Sequence, residues 1–258
     1  MPNEPTFSIV TCTWNSAATL PDTLASLRAQ TCRDVEHIFV DGGSRDGTLA
    51  LLDAFPGNKR ILRDVRGGIS HAMNRGIAAA TGAIVAHLHA DDYYADADVL
   101  ASVASAMDRS GRAWAVGEIA VLAPHGLLPP QRRRAFSYRA LAAGRAFVPH
   151  PATFMRRHLF DRVGCFDENL RYAMDIDLWL RLAAHTPPVV LARILAVFRE
   201  HAGSLSSANK LLARQEEWRV RRRYAGAAPL AFAVYCLRYL RRTVGLRYRS
   251  GPAEHIGK

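Results

Sequence analysis

Short apolar runs alternate with amphipathic segments over the first third of the chain. Four runs rich in β-branched and apolar residues predict strands at residues 7–13, 36–40, 59–63 and 83–88. The segments between them predict helices at residues 19–29, at residues 48–55 and up to residue 80. Because strands that alternate with helices form parallel sheets, the pattern predicts an α/β fold with a mostly parallel central sheet flanked by helices.

The rest of the chain has a less regular pattern. Residues 114–122 and 189–198 predict two more strands, and residues 173–184 predict a helix. Residues 122–134 are rich in proline and arginine and predict a loop. The ligand crevice of an open α/β sheet lies beyond the carboxyl ends of its strands, so the first half is where a binding site is expected.

Positive charge is concentrated at the C-terminus. Residues 206–258 hold twelve Lys or Arg and three Asp or Glu, which accounts for nine of the eleven net positive charges. Residues 229–242 interleave apolar and aromatic side chains with arginines, as helices in a membrane interface do. A helix packed on the body with a solvated basic face stays open as the alternative. Nucleic acid is not expected as a partner, because no recognised nucleic-acid module is present.

The cysteines and the apolar stretches bear on localisation. Four widely spaced cysteines without a CxxC pair favour unreactive thiols in a reducing compartment. The uncharged stretch at residues 225–237 is too short to span a bilayer, and no signal-peptide pattern precedes residues 7–10. We therefore expect a cytoplasmic protein, held peripherally at the inner face of the cytoplasmic membrane by its tail.

Carboxylates stand where three of the predicted strands end. These positions are Asp41, Asp64 and the pair Asp91 and Asp92. Adjacent carboxylates repel each other, so the pair needs a cation, a proton or good solvation. Hard oxygen ligands suit Mg²⁺ or Mn²⁺ with a diphosphate completing the coordination. A solvated acidic loop before a helix is the alternative for this pair.

Two further motifs are weaker alone. The turn from Asp41 to Ser44 contains two glycines and would let a ligand approach the backbone, although it matches neither a dinucleotide fingerprint nor a Walker loop. Asp175 and Asp177 begin a predicted helix, where they serve either as N-terminal capping charges or as a general base. His201 is a lone histidine and is more typical of a structural or solvated residue.

Five stretches, taken together and in order, resemble the family 2 glycosyltransferases, an inverting group with the GT-A fold. They are residues 8–15, 40–48, 68–76, 88–92, and 166–168 with 174–181. The resemblance covers roughly residues 6–205, and the turn at residues 40–44 is similar to the bacterial branch that builds colanic acid and other exopolysaccharides. It implies a catalytic domain at residues 1–205, with a nucleotide-sugar half to about residue 110 and an acceptor half after it. A basic helical tail at residues 206–258 would follow.

The resemblance also implies a role for each matching residue. On the donor side, Thr11 and Asn15 would line the nucleotide pocket, Asp41 with Ser44 would hold its turn, and Asp64 would reach the base or ribose. Asp91 would bind the metal with Asp92 beside it. Asp175 would be the general base. Arg199 and His201 would lie in a loop that closes over the diphosphate, with His201 as a further candidate metal ligand.

Three positions depart from the family pattern. Gly42 stands where many relatives have the carboxylate that would contact uracil, which weakens the expectation of a UDP-sugar donor without replacing it. His89 stands at the first acidic position of the metal motif. Met174 replaces an acidic residue before the base, so Asp175 is expected to ionise more easily.

The implied reaction moves a sugar from a nucleotide-diphosphate sugar to the hydroxyl of a glycan or lipid-linked glycan, with inversion. One carboxylate takes the hydroxyl proton, and a metal offsets charge on the leaving diphosphate. Two alternatives stay open. A nucleotidyltransferase would normally carry a glycine- and lysine-rich loop after the first strand, which residues 11–16 lack. A catalytically inactive sugar-nucleotide binder or scaffold would agree with Gly42 and His89.

Overall fold

A computed structural model describes residues 5–128, 135–200 and 209–249. The strands are β1 Phe7–Thr13, β2 Val35–Asp41, β3 Lys59–Leu62, β4 Ile84–His87, β5 Tyr93–Tyr94, β6 Trp114–Ala123, β7 Gly126–Leu127, β8 Thr153–Arg156 and β9 Val189–Arg199. The helices are α1 Leu20–Ala29, α2 Thr48–Ala54, α3 Ile69–Ala79, α4 Val99–Ser110, α5 Tyr138–Ala142, α6 His158–Val163, α7 Met174–His185, α8 Lys210–Arg223 and α9 Pro229–Arg249. Short 3₁₀ turns lie at His150–Ala152 and Ala225–Ala227.

The strands form one sheet in the order β3-β2-β1-β4-β8-β6-β9-β5, with β7 paired to β6. The first four strands pair in parallel, as the βαβ pattern predicts. β8 then lies antiparallel between β4 and β6, while β6 and β9 are parallel. The α/β class with flanking helices is confirmed, and the sheet is mixed: its first four strands are parallel, whereas its second half combines antiparallel pairs with the parallel pair of β6 and β9. The reason is that β8 enters the sheet from a later part of the chain and runs the opposite way.

Both faces of the sheet are covered, which explains the continuous apolar runs of its strands. Successive residues of β1 point to opposite faces, so Ile9 joins the core beneath α1 and Val10 joins the core beneath α3. Leu20 of α1 and Met73 of α3 are buried on these two faces. The two cores fix the strand ends, and with them the polar residues that follow β1, β2 and β4.

Helix α3 approaches β1 very closely through one glycine. A Cβ at Gly76 would lie 2.3 Å from Cγ1 of Val10, so no larger residue fits without movement. Gly68 precedes the helix with a φ of +89°, a conformation that favours glycine. The close approach at Gly76 therefore holds α3 tightly against β1.

The C-terminal helices pack on the body of the protein. Val220 of α8 and Tyr235 of α9 are buried, and the Trp218 ring of α8 packs against Phe232 and Tyr239 of α9 with ring centroids 6.3 Å apart in both pairs. The side of α9 that faces away keeps exposed leucines. Within the described ranges, no helix combines the length and apolar character needed to cross a membrane. The domain boundary at residue 205 falls outside the described residues and stays a prediction.

Candidate active site

A cleft of about 840 Å³ opens at the carboxyl ends of β1 and β4. The loop after β1 forms one wall, with Asn15 among its residues, and the turn after β4 forms the floor, with Asp91. The start of α3 and the start of α7 complete the walls, the latter with Asp175. Of the carboxylates expected at the strand ends, Asp91 and Asp92 line this cleft, whereas Asp41 and Asp64 do not.

Asp41 holds the turn that follows β2. Its carboxylate is fully buried and accepts hydrogen bonds from the amides of Gly43 (2.9 Å) and Ser44 (2.8 Å) and from the Thr13 hydroxyl (2.8 Å). The Ser44 hydroxyl donates to Asp41 at 2.5 Å and accepts from the amide of Asn15 at 2.8 Å. Asn15, with a φ of +48°, is thereby fixed at the cleft wall. Asp41 and Ser44 thus hold the turn and Asn15 lines the cleft, while their roles towards a nucleotide stay predictions.

Thr11 and Asp64 do not line the cleft. Thr11 is fully buried within β1, and the residues of this strand that reach the cleft are Cys12 and Thr13. The expectation that Thr11 lines the pocket is therefore not met, because the strand is covered at that position. Asp64 is exposed, has a φ of +55°, and its Oδ1 lies 3.1 Å from the place of a Cβ on Gly43. Asp64 therefore lies outside the residues that line the cleft, next to Val65 and Arg66, which do line it.

The turn with Asp91 and Asp92 is tied to β9 by Arg199. Asp92 is 3% exposed, and its Oδ1 accepts from the Arg199 amide at 3.1 Å. The Arg199 guanidinium donates to the Asp91 carbonyl at 3.2 Å and pairs with Asp22 of α1. Arg199 therefore braces the carboxylate turn, and the residue of β9 that lines the cleft is its neighbour Phe198.

The environment of this carboxylate pair fits a hard cation. Burial raises the pKa of Asp92 well above its ordinary value, and the neighbouring charge of Asp91 raises it further. A bound cation would offset the charge that these two groups cannot easily carry together. Among the described residues no cluster of three His, Cys, Asp or Glu side chains could hold a metal ion. His201 lies outside the described residues.

A cluster of three histidines lies beside the carboxylate turn. His89 stacks on His150 with ring centroids 5.0 Å apart and planes 18° apart, and His87 lies 5.4 Å from His150. Burial lowers the pKa of all three imidazoles, so they are neutral at pH 7. The first acidic position of the family motif is thus filled by an uncharged ring, and Asp91 carries the charge that faces the cleft.

Asp175 lies in the first turn of α7 and faces the cleft. Its pKa is raised to about 6, mainly by burial and further by the charge of Glu217, while a hydrogen bond from the amide of Ile176 (2.7 Å) and the charge of Arg221 lower it. The sequence suggested easier ionisation because Met174 brings no charge. Desolvation outweighs that effect, and the resulting carboxyl group is poised to exchange a proton near neutral pH.

Asp177 has a different environment from Asp175. It is buried, accepts from the Arg181 guanidinium at 3.0 Å and accepts from the Tyr224 hydroxyl at 2.7 Å. Arg181 also donates to the carbonyl of Cys165 at 2.7 Å. Asp177 therefore ties α7 to its surroundings, and Asp175 is the acidic residue of this helix that lines the cleft.

Sequence reasoning missed several residues of the cleft. Trp14, Arg66, His150, Arg171 and Tyr172 all line it. Trp14 and Arg66 follow strand ends and could have been found by the rule that placed the aspartates. The other three come from loops whose position depends on tertiary packing, and no pattern in the sequence indicates it.

The fold resembles that of solved glycosyltransferases. The crystal structure of S. aureus TarS residues 1–349 in complex with UDP-GlcNAc has a TM-score of 0.70 at 21% identity, covering 83% of this chain and 64% of that chain. The mannosyltransferase PcManGT from Pyrobaculum calidifontis, in complex with GDP-Man and Mn²⁺, has a TM-score of 0.65 at 18% identity, covering 97% of this chain and 77% of that chain. This chain thus spans under two thirds of the TarS fragment. The likenesses confirm the GT-A fold.

Sequence comparison gives the family. Residues 8–164 match the family described as glycosyl transferase family 2. An uncharacterized glycosyltransferase of Mycobacterium tuberculosis is 34% identical over 203 residues, which are 77% of this chain and 76% of the relative. A PGL/p-HBAD biosynthesis glycosyltransferase of Mycobacterium bovis is 35% identical over 208 residues, covering 77% and 78% of the two chains. The match and these relatives show that the chain belongs to glycosyl transferase family 2.

Proposed function

We propose that this chain transfers a sugar from a nucleotide-diphosphate sugar to an acceptor hydroxyl with inversion of the anomeric centre. The observation that carries the proposal is that Asp91 and Asp175 line the same cleft from two different elements, the turn after β4 and the start of α7. One carboxylate suits the diphosphate side of a bound donor, and the other suits the acceptor side. A direct displacement needs one group on each side and no covalent intermediate.

The donor side consists of the loop after β1, the turn after β2 and the carboxylate turn after β4. Asn15 is fixed by the Asp41 network, and Arg66 adds a cation at the cleft. A divalent cation held at Asp91, Mg²⁺ or Mn²⁺, would neutralise charge on the leaving diphosphate. The similar solved structures hold UDP-GlcNAc in one case and GDP-Man with Mn²⁺ in the other, which supports a nucleotide sugar. We favour UDP as the nucleotide of the donor. Because Gly42 has no carboxylate, other residues would contact the uracil base.

The acceptor side consists of the start of α7. Asp175 would take the proton of the attacking hydroxyl, and a pKa of about 6 leaves it ionised at pH 7 yet basic enough to accept a proton. Proton transfer of this kind contributes roughly 10²–10⁴-fold to rate. Arg171 and Tyr172 precede it and line the cleft, and they would contact the acceptor.

We further propose that the acceptor is a glycan or lipid-linked glycan, met at the inner face of the cytoplasmic membrane. A relative is named for PGL/p-HBAD biosynthesis, and the exopolysaccharide role suggested by the sequence stays a prediction. The outward side of α9 carries Leu230 at 84% exposure and Leu237 at 64%, next to Arg241. An apolar stripe beside cations suits an anionic membrane surface.

One observation favours a second function. His89 is neutral and stands where the family has an acidic group, so an inactive sugar-nucleotide binder is the alternative. Thermal unfolding with UDP- and GDP-sugars, each with and without Mn²⁺, measures binding, because a ligand of the folded state raises its midpoint. Release of free nucleotide diphosphate from the same donors measures turnover. The proposal expects both signals, whereas an inactive binder gives the shift without nucleotide release.

A further inference from the structure

The loop in front of the candidate base is held by a residue of the C-terminal helices. A single oxygen of Glu216 in α8, Oε1, accepts hydrogen bonds from three successive amides, those of Arg171 (2.9 Å), Tyr172 (2.6 Å) and Ala173 (2.8 Å). Three amides converging on one oxygen form an anion-binding nest, and here a carboxylate of the same chain occupies it. The contact spans more than forty residues of sequence.

Helix α7 has no cap from its own sequence at this end. Its N-cap residue is Ala173, which has no side-chain acceptor, and the helix begins at Met174. A helix N-terminus favours negative charge and needs acceptors for its first amides. Glu216 accepts from the N-cap amide of Ala173 and from the two amides before it, so α8 brings an acceptor and a negative charge to the N-terminus of α7.

The residues held in this way form part of the cleft wall. Arg171 and Tyr172 line the cleft, and Asp175 lies two residues after the nest. α8 itself is anchored to the body, since its Arg221 donates to the carbonyls of Leu141 and Ala142. A shift of Glu216 would move the start of α7 as a unit, and with it the carboxylate of Asp175.

We propose that Glu216 is a positioning residue, which fixes Asp175 and the acceptor wall of the cleft through the amides of residues 171–173. The inference rests on the proposed function, because it requires Asp175 to act as the base. It makes the C-terminal helices a part of the active site, in addition to any contact that they make with a membrane.

Two substitutions separate the hydrogen bonds from the charge. Glu216→Ala removes the acceptor, whereas Glu216→Gln keeps an oxygen that can take the same three bonds and loses the charge alone. We expect Glu216→Ala to lower kcat at least about tenfold, since small misplacements of a reacting group cost up to about a hundredfold. Glu216→Gln should lose about threefold. The KM for the nucleotide sugar should stay unchanged in both, because the donor wall does not touch Glu216. Gln215→Ala, one residue earlier on the same helix, is the control and should behave as the wild type.

The decisive readout is whether the loss depends on Asp175. If Glu216 acts through Asp175, neither substitution lowers turnover further in an Asp175→Asn background, because groups that act as a unit are not additive. A merely structural role would give the same fold loss in both backgrounds and would overturn the inference. So would wild-type turnover in both single variants. If Glu216→Ala does not fold, the comparison of Glu216→Gln in the wild-type and Asp175→Asn backgrounds tests the inference alone.

The outcome for Asp175→Asn separates this inference from the proposed function. Turnover of Asp175→Asn within tenfold of the wild type contradicts the proposed base, and this inference with it. A large loss in Asp175→Asn together with an additive loss from Glu216 contradicts the positioning role alone and leaves the proposed function intact. Residual turnover is measured as labelled sugar accumulating in product over a long incubation.

Discussion

At the scale of single residues, the carboxylates of this protein differ because their surroundings differ. Asp41 is surrounded by amide and hydroxyl donors and holds a turn. Asp92 is buried beside a second carboxylate, and its pKa is raised well above the ordinary value. Asp175 is desolvated and has a pKa raised to about 6. Groups of one chemical type can serve separate roles when their surroundings differ, and here a structural carboxylate lies beneath the cleft while a metal-linked and a basic carboxylate line it.

Asp91→Asn tests the metal-linked role. The substitution keeps the size of the side chain and removes the charge that faces the cleft, so Mn²⁺ should no longer strengthen nucleotide-sugar binding, and sugar transfer should fall by at least about a hundredfold. Calorimetric titration of UDP with and without Mn²⁺ measures the first effect. Full activity of the variant, or of the wild type in excess EDTA, would contradict the role. Asp108→Asn is the matched control, because it makes the same substitution on α4, where Asp108 forms an exposed ion pair with Arg156 of β8.

The pH dependence of transfer tests the ionisation of Asp175. Its folded-state pKa of about 6 means that the carboxylate is ionised above that pH and protonated below it. A base works in its ionised form, so kcat/KM for the acceptor should be flat above about pH 6 and fall about tenfold per unit below it. Asp92 also has a raised pKa and could cause a fall in activity at low pH. If Asp175 causes the fall below about pH 6, the residual activity of Asp175→Asn should not show it. A fall that persists in that variant belongs to another group.

Part of the site could be predicted from single residues of the sequence. Asn15, Asp41, Asp91 and Asp175 follow strand ends or begin a helix, and the structure brings Asn15, Asp91 and Asp175 to one cleft while Asp41 supports it from beneath. Thr11 was wrongly expected at its surface. Sequence gives no sign of the contribution of Glu216, because its partners lie more than forty residues away and are backbone amides, which every residue has.

At the scale of elements, the first half of the fold followed from its pattern and the second half did not. The strands β1 to β4 have long apolar runs and are joined by helices, so hydrophobic pattern and connection rules agree. β8 has four residues and enters the sheet antiparallel between β4 and β6. Such a short segment has no preference of its own, and the gap between two existing strand edges decides where it lies.

Gly76→Ala tests the close contact of α3 with β1. An alanine in a helix interior normally gains about 0.5–1 kcal/mol over glycine, but here its Cβ would meet the buried Val10 side chain at 2.3 Å. Overpacking of a core costs about 1–3 kcal/mol, so the free energy of unfolding should fall by about 1–2 kcal/mol. Urea denaturation measures the change.

Gly226→Ala is the matched control for this substitution. A Cβ at Gly226 would meet nothing within 4 Å, and its stability should stay within about 0.5 kcal/mol of the wild type. Equal stability of Gly76→Ala and the wild type would mean that α3 lies farther from β1 than the structure places it.

At the scale of the whole molecule, net positive charge and exposed leucines are both concentrated in the C-terminal segment. Nine of eleven net positive charges lie in residues 206–258, and α9 carries Leu230, Leu237 and Leu240 exposed. The same helices bury Val220 and Tyr235 against the body and supply Glu216 to the active site. A membrane contact and a catalytic contribution are therefore compatible, since Glu216 lies on α8 and the exposed leucines lie on α9.

Flotation with liposomes tests the membrane contact. Removing the tail would also remove Glu216, so point substitutions are the sharper tool. A basic residue near an anionic surface contributes about 1 kcal/mol, and a buried leucine about 1.5–3 kcal/mol. Leu237→Ser with Leu240→Ser should therefore abolish most binding to anionic vesicles, and binding of the wild type should weaken in high salt.

The control for flotation uses exposed leucines elsewhere. Leu127→Ser with Leu128→Ser, in and after β7, changes the same residue type at comparable exposure and should leave vesicle binding unchanged. Equal binding of the α9 variant and the wild type to anionic vesicles would contradict a membrane role for this face, as would the absence of binding by the wild type.

Transfer of labelled sugar by Asp175→Asn, with donor binding measured on the same protein, is the sharpest test of whether Asp175 acts as the base. The substitution keeps the shape of the side chain and removes its basicity, so the account predicts wild-type affinity for nucleotide sugar and Mn²⁺ with a loss of turnover of at least about a hundredfold. Retention of turnover within about tenfold, with donor affinity unchanged, would show that Asp175 is not the base and would contradict the mechanism proposed for this cleft.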